Sequence, residues 1–266
     1  MEFSKNLHRL IAANAPLWAG EAEVFRTYWD WDKRTRETDL KWLAHQCYKE
    51  IWGFGLADRN LGLFMGPLKQ LEAMFPNIDR TVDRHTVMDM AEAMWAEFAH
   101  YVAFADAYDA IRLPGERKMT PFWPTWWKAD ENLSALRYAH RERHGALGLR
   151  ACQFTEGGYC TLFSEGTKLA GRGGRDDLIA EACSRVYDDE FGHMLKGVAG
   201  LDRENLSQAD WDILTKISVE QLKLRILMRN EQFSFPLSDS RIEAIYRGEI
   251  EPLSFDFAAA KLALAA

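Results

Sequence analysis

Two four-residue stretches share one pattern, Glu97-Phe98-Ala99-His100 and Glu190-Phe191-Gly192-His193, and Glu156 lies between them. On a helix, residues three apart are separated by about 60° around the axis and roughly 4.5 Å along it, so each Glu can converge with its His on one point beside the helix. Carboxylate oxygen with imidazole nitrogen is a borderline-hard donor set that suits Fe or Mn. Without thiolate it is a poor match for structural zinc. Two such pairs facing one another would hold two ions, with Glu156 bridging them or completing the coordination. Glu and His at this spacing are ordinarily a solvated pair, and their neighbours argue otherwise here. Glu97 and His100 share a stripe with Met90, Met94, Tyr101 and Phe104; Glu190 and His193 share one with Cys183, Val186, Tyr187, Met194 and Gly197; Glu156 lies with Cys152, Tyr159, Cys160 and Phe163. Uncompensated charge on such faces is costly, and metal coordination removes the cost.

The elements that must carry these residues read as helices. Leu40 to Phe75 has helical apolar spacing interrupted by Gly53, Gly55, Gly62, Gly66 and Pro67, which predicts a long helix, kinked or broken. Asp83 caps a second helix that runs until Pro114-Gly115. Asn132 to about Ala170 lacks proline and predicts one long helix, stopped by Gly171-Arg172-Gly173-Gly174. Asp176 and Asp177 open another that ends at Gly200, and Ser207 caps a last long helix closed by Pro236. Five or so long helices without strand signals or repeats predict an all-α bundle in one domain spanning 1–266, with a metal-binding core over about 40–200.

Composition sets the outer bounds. The 266 residues carry 33 basic and 40 acidic side chains, a formal charge of −7, with no Lys/Arg block, so nucleic acid is not an expected partner. No apolar run reaches membrane-spanning length and the first residues lack a signal peptide's apolar middle, so the chain reads as soluble and cytoplasmic, with no membrane partner. Cys47, Cys152, Cys160 and Cys183 have no metal-clip spacing and read as small buried hydrophobes. His140 and His144 lie among Arg137, Arg141, Glu142 and Arg143 and read as a solvated face. The Pro- and Trp-rich connection with Trp123, Trp126 and Trp127, together with Phe104 and Phe163, reads as an aromatic wall for an apolar substrate or as a seal on the bundle end.

Taken together, these residues resemble the ferritin-like carboxylate-bridged di-iron proteins, which place a Glu from each of two helices and Glu-x-x-His from each of two others inside a four-helix bundle. Glu156 and Glu190 are separated by 190 − 156 = 34 residues, a gap of the kind that family shows, and Asp189-Glu190-Phe191-Gly192-His193-Met194 is similar to the D-E-x-x-H-M run of bacterial multicomponent monooxygenase hydroxylases. The resemblance implies metal ligands Glu97, His100, Glu156, Glu190 and His193, with Asp189 accepting the ring N–H of His100 across the bundle. A first-helix carboxylate should stand level with Glu97. Folding the chain back at residues 76–83 brings Gly62 opposite, where no Glu sits; Asp58 is nearest, Glu50 and Glu72 lie about three turns off, and a broken helix could bring in any of the three. The heme-oxygenase-like di-iron oxidases are a related match to Glu97, His100, Glu156 and His193.

The resemblance therefore implies a ferritin-like helical bundle with additional N- and C-terminal helices, and an oxidoreductase in which two Fe ions, or Mn with Fe, activate O2 to oxidise a small organic substrate as an oxygenase or oxidase. An external electron donor is implied and a homodimer is allowed. The alternative class is a non-enzymatic bundle that stores iron or holds metal structurally. The N-terminal region, the Trp-rich crossover and the fifth helix suit a substrate pocket better than a storage subunit.

Overall fold

Helix boundaries follow the capping residues. The computed structural model describes residues 2–53, 63–123 and 126–265. Asp83 accepts from the His85 N–H and opens α4 (Arg84–Ile111), while Ser207 exchanges hydrogen bonds with Asp210 to open α9 (Gln208–Gln232). Between them α8 (Arg175–Gly200) begins with Asp176 and Asp177 at its positive end. All three match the boundaries expected from the sequence. The remaining helices are α1 (Lys5–Trp29), α2 (Arg36–Trp52), α3 (Met65–Met74), α5 (Lys128–His144), α6 (Ala146–Glu156), α7 (Thr161–Thr167), α10 (Asp239–Tyr246) and α11 (Phe257–Ala263). No strand forms among the described residues beyond one isolated Ile78–Val82 bridge, so the chain is all-α. None of the described helices is long and apolar enough to cross a membrane.

One expectation of continuous helix is corrected. The segment from Asn132 to Ala170 is not one helix but α5, α6 and α7. The chain leaves α5 at Gly145, at φ +52°, and breaks again over 157–160, where Gly158 and Cys160 both adopt left-handed backbone. The segment from Leu40 to Phe75, expected to be kinked or broken, is broken: α2 ends at Gly53, at φ +58°, and α3 is a separate short helix. The described residues accordingly form more helices than the five or so expected, with short ones where those two segments divide.

α1 and α9 pack against each other at the centre, with α7 on α1 and with α5 and α6 on α9; α2, α4 and α8 follow one another around the other side. Trp42 of α2 stacks on Phe233 just beyond α9, with centroids 4.9 Å apart, and Phe25 of α1 meets the same ring edge-on at 5.0 Å. Burying these aromatic rings is what holds the two groups of helices together. At the α5–α6 crossing, Gly148 lets the backbones touch: a Cβ there would lie 2.2 Å from the His140 carbonyl oxygen. Gly148→Ala is therefore expected to cost about 1–3 kcal/mol, read as a lower urea midpoint with an unchanged denaturant slope.

Candidate metal centre

Glu50 near the end of α2, Glu97 and His100 on α4, and Glu190 on α8 converge at one point between three packed helices. His100 Nδ1 lies 4.0 Å from Glu50 Oε2, 3.9 Å from Glu97 Oε2 and 3.7 Å from Glu190 Oε1. On its other side His100 Nε2 donates to Asp189 Oδ2 at 2.9 Å, the hydrogen bond that the resemblance implies. That bond assigns the proton to Nε2 and leaves the Nδ1 lone pair facing three carboxylates. Glu50 Oε1 is itself held by Gln46 Nε2 at 2.6 Å. His100 and Glu50 are buried, with side chains 5% and 8% exposed, whereas Glu97 and Glu190 are part-exposed. Glu50, Glu97 and His100 form one group that could hold a metal ion, and His100, Asp189 and Glu190 form another.

Acceptors crowded this closely need positive charge between them. Burial, and then the neighbouring Glu97 carboxylate, push the Glu50 carboxyl up to about 7. Burial likewise raises Glu97 and Glu190 above the ordinary carboxylate range. Burial opposes the His100 cation, but the carboxylates of Glu97, Glu50 and Glu190 outweigh it and bring His100 to about 9. Without metal, protons thus do the work that a divalent ion would do, and the donor set that could hold such an ion is carboxylate oxygen with one imidazole nitrogen.

The sign for stability follows. Glu50 has a folded pKa above its unfolded one, so its ionisation subtracts stability as pH rises from the ordinary carboxylate range toward about 7. His100 contributes stability that is fully present below its unfolded value of 6.5 and is lost as pH rises through about 9. Both act in one direction. Burial holds His45 down to about 4, which opposes Glu50 up to about pH 6.5, so chelator-treated protein is expected to melt at a lower temperature with each step in pH from about 7 to about 9, and bound metal should flatten that slope by replacing the protons. A chelated melting curve that climbs with pH over that range would contradict this electrostatic picture.

Glu156 and His193 line the same cavity as these four side chains but stand outside the close groups. Both are exposed, Glu156 as the last residue of α6, although Cys152, Cys160 and Phe163, which the sequence groups with it, are buried as expected. Of the three first-helix alternatives, Glu50 reaches the cluster. Glu72 is exposed on α3 and takes no part, and Asp58 lies outside the described residues. The break at Gly53 explains this: with α2 ending there, its last turn stands beside His100 instead of three turns away.

The cavity measures about 390 Å³ and has apolar walls of Phe154, Phe163, Val186, Met194 and Val198. The tryptophans do not form that wall. Trp127 is buried, stacks on His45 at 4.3 Å and donates to the Met228 carbonyl; Trp123 packs edge-on against Tyr108; neither they nor Trp126 line the cavity. Of the expected aromatic pair, Phe163 lines it and Phe104 stacks behind Phe163. His140, expected on a solvated face, is buried between Glu220 and Gln221.

Sequence reasoning missed the polar floor of the cavity: Gln46, Arg137, Arg225 and Arg229, with Glu21 beneath them. A signal for it exists in α9, where Ser218, Gln221, Arg225, Arg229 and Gln232 recur three or four apart alongside Leu222 and Ile226, a buried polar stripe within an apolar helix. The four cysteines are all buried, as expected. Compared with protein-family models, with curated proteins and with solved structures, the chain matches none.

Proposed function

We propose that the chain is a non-heme oxidoreductase that holds two iron ions, or manganese with iron, and uses O2 to oxidise a small organic substrate in the adjoining cavity. The observation that carries the reading is the convergence of Glu50, Glu97 and Glu190 on the free nitrogen of a His100 whose other nitrogen is tied to Asp189. Glu97, His100 and Glu190, with Asp189 behind His100, are among the residues that the resemblance to di-iron oxidases implies, and Glu50 is one of the three first-helix carboxylates it left open. Bound there, the ions would supply the reduction of O2.

The protein's own groups have distinct tasks in this reading. Glu50, Glu97 and Glu190 offset the charge of the ions, and Glu156 and His193 on the cavity rim complete the second position. Asp189 fixes the ring orientation and tautomer of His100. Gln46 holds one Glu50 oxygen so that the other points at His100. Phe154, Phe163, Val186, Met194 and Val198 limit water around the substrate. Insertion of one oxygen atom consumes two electrons from outside, which is why an external donor belongs to the proposal.

Iron-loaded protein prepared without O2 and then mixed with it in a stopped-flow spectrometer tests this. The ferrous signal should be lost in wild type much faster than in Glu97→Ala, with substrate changing the rate. Ferrous iron that survives exposure to O2 as it does in the variant would overturn the reading. A large shell-like assembly on size-exclusion chromatography would favour storage instead.

A further inference from the structure

Behind the metal-facing carboxylates, the cavity ends on guanidinium groups. Arg225 and Arg229 stand one turn apart on α9, line the cavity, and are only 3% and 4% exposed. They share a single carboxylate. Glu21 of α1 takes Arg225 Nε on both oxygens at 2.9 Å and Arg229 Nε at 3.2 Å. Arg225 Nη1 donates to the Glu156 carbonyl, and Arg229 Nη1 donates to Gln46 Oε1 at 2.9 Å and Gln232 Oε1 at 2.6 Å. That leaves the Nη2 group of each arginine without a partner among the described residues, on side chains that form the cavity wall. On the same wall the part-buried Lys49 is paired with Asp130 at 2.7 Å, and the buried Arg137 donates to Thr155 Oγ1 at 2.9 Å.

Two buried cations against one carboxylate leave one positive charge over. The nearby Glu50 and Glu156 can offset it only while they are not engaged by metal. A neutral ligand would leave the two Nη2 groups desolvated and unpaired, which is expensive for charged donors. A carboxylate matches it in charge and offers two oxygens to the two N–H groups. We infer that Arg225 and Arg229 form a subsite for the carboxylate of an amphiphilic organic acid, whose apolar body lies against Phe154, Phe163, Val186 and Met194. The chemistry done on that acid rests on the proposed function, whereas its binding rests on the arginines alone. A cavity of about 390 Å³ falls in the range used for small-molecule ligands.

Calorimetric titration of the full chain loaded with Mn(II), using hexanoate and 4-phenylbutyrate beside their amides at fixed ionic strength, tests the inference. Each acid is expected to bind about tenfold or more tighter than its amide. Arg229→Gln should erase that preference in the fraction of protein that mass spectrometry shows to be metal-loaded. Because removing a buried cation can impair folding, a triple variant of Arg225→Gln, Arg229→Gln and Glu21→Gln takes away both guanidinium groups together with the carboxylate they share and should erase the preference as well; the wild-type comparison needs no variant at all. Acids that bind no better than amides, or a preference that survives in the arginine variants because the metal alone supplies it, would overturn the subsite. Protein that takes up no metal yet prefers acids would refute the metal centre and leave the subsite standing. Protein that takes up metal without preferring acids would do the reverse.

Discussion

His100→Ala is expected to leave the protein with little or no bound iron or manganese. His100 is the single nitrogen donor at the point where Glu50, Glu97 and Glu190 meet, each within 4.0 Å of its Nδ1. Removing it takes away both a ligand and the group that fixes where the carboxylates converge. The loss of affinity should exceed the roughly 10- to 100-fold that removing a supporting partner costs, and that smaller range is the expectation for Asp189→Asn, which weakens the hold on Nε2 without touching the metal side. Glu72→Ala is the control. Glu72 sits exposed on α3, away from the cluster, and should change nothing. Metal titration of the three variants separates these outcomes, and equal losses in Asp189→Asn and Glu72→Ala would contradict the geometry.

The second large effect is on stability. Glu21→Ala is expected to cost about 3–5 kcal/mol, because it leaves Arg225 and Arg229 buried without the carboxylate they share. The consequence reaches the metal centre through one chain of contacts: Glu21 holds Arg229, Arg229 holds Gln46, and Gln46 holds Glu50. Glu21→Gln preserves volume and one acceptor oxygen and should lose less than Glu21→Ala. Chemical denaturation measures both. A Glu21→Ala protein within about 1 kcal/mol of wild type would mean that the arginines find other partners or reach water.

How much of this was legible in the sequence depends on how each residue is surrounded. The helices α4, α8 and α9 are readable because Asp83, Asp176 and Ser207 cap them and Pro114, Gly200 and Pro236 stand at or beyond their ends. Their apolar stripes also locate Glu97, His100, Glu190 and His193. α1 is implied only by the resemblance and is not read from residue spacing: it carries Pro16 in its middle, a residue that ordinarily kinks or ends a helix. The division of 132–170 turns on backbone conformations at Gly145, Gly158 and Cys160 that residue type does not announce, Cys being an uncommon choice for left-handed backbone. Glu50 could not be chosen over Asp58 and Glu72 for a related reason: its level against His100 is set by where α2 breaks, and the segment offers four glycines at which to break. The arginine floor, finally, joins α9 to α1 across about two hundred residues, a pairing that only packing reveals.

The most direct test of the metal centre is the number of metal ions bound per chain in protein produced with iron and purified without chelator, measured by inductively coupled plasma mass spectrometry against protein concentration. The account predicts close to two ions per chain, iron alone or iron with manganese, as expected of a bundle core carrying two Glu-x-x-His pairs and further carboxylates. Fewer than about half an ion per chain after such preparation would contradict it, since a centre of this donor set and burial should retain its ions.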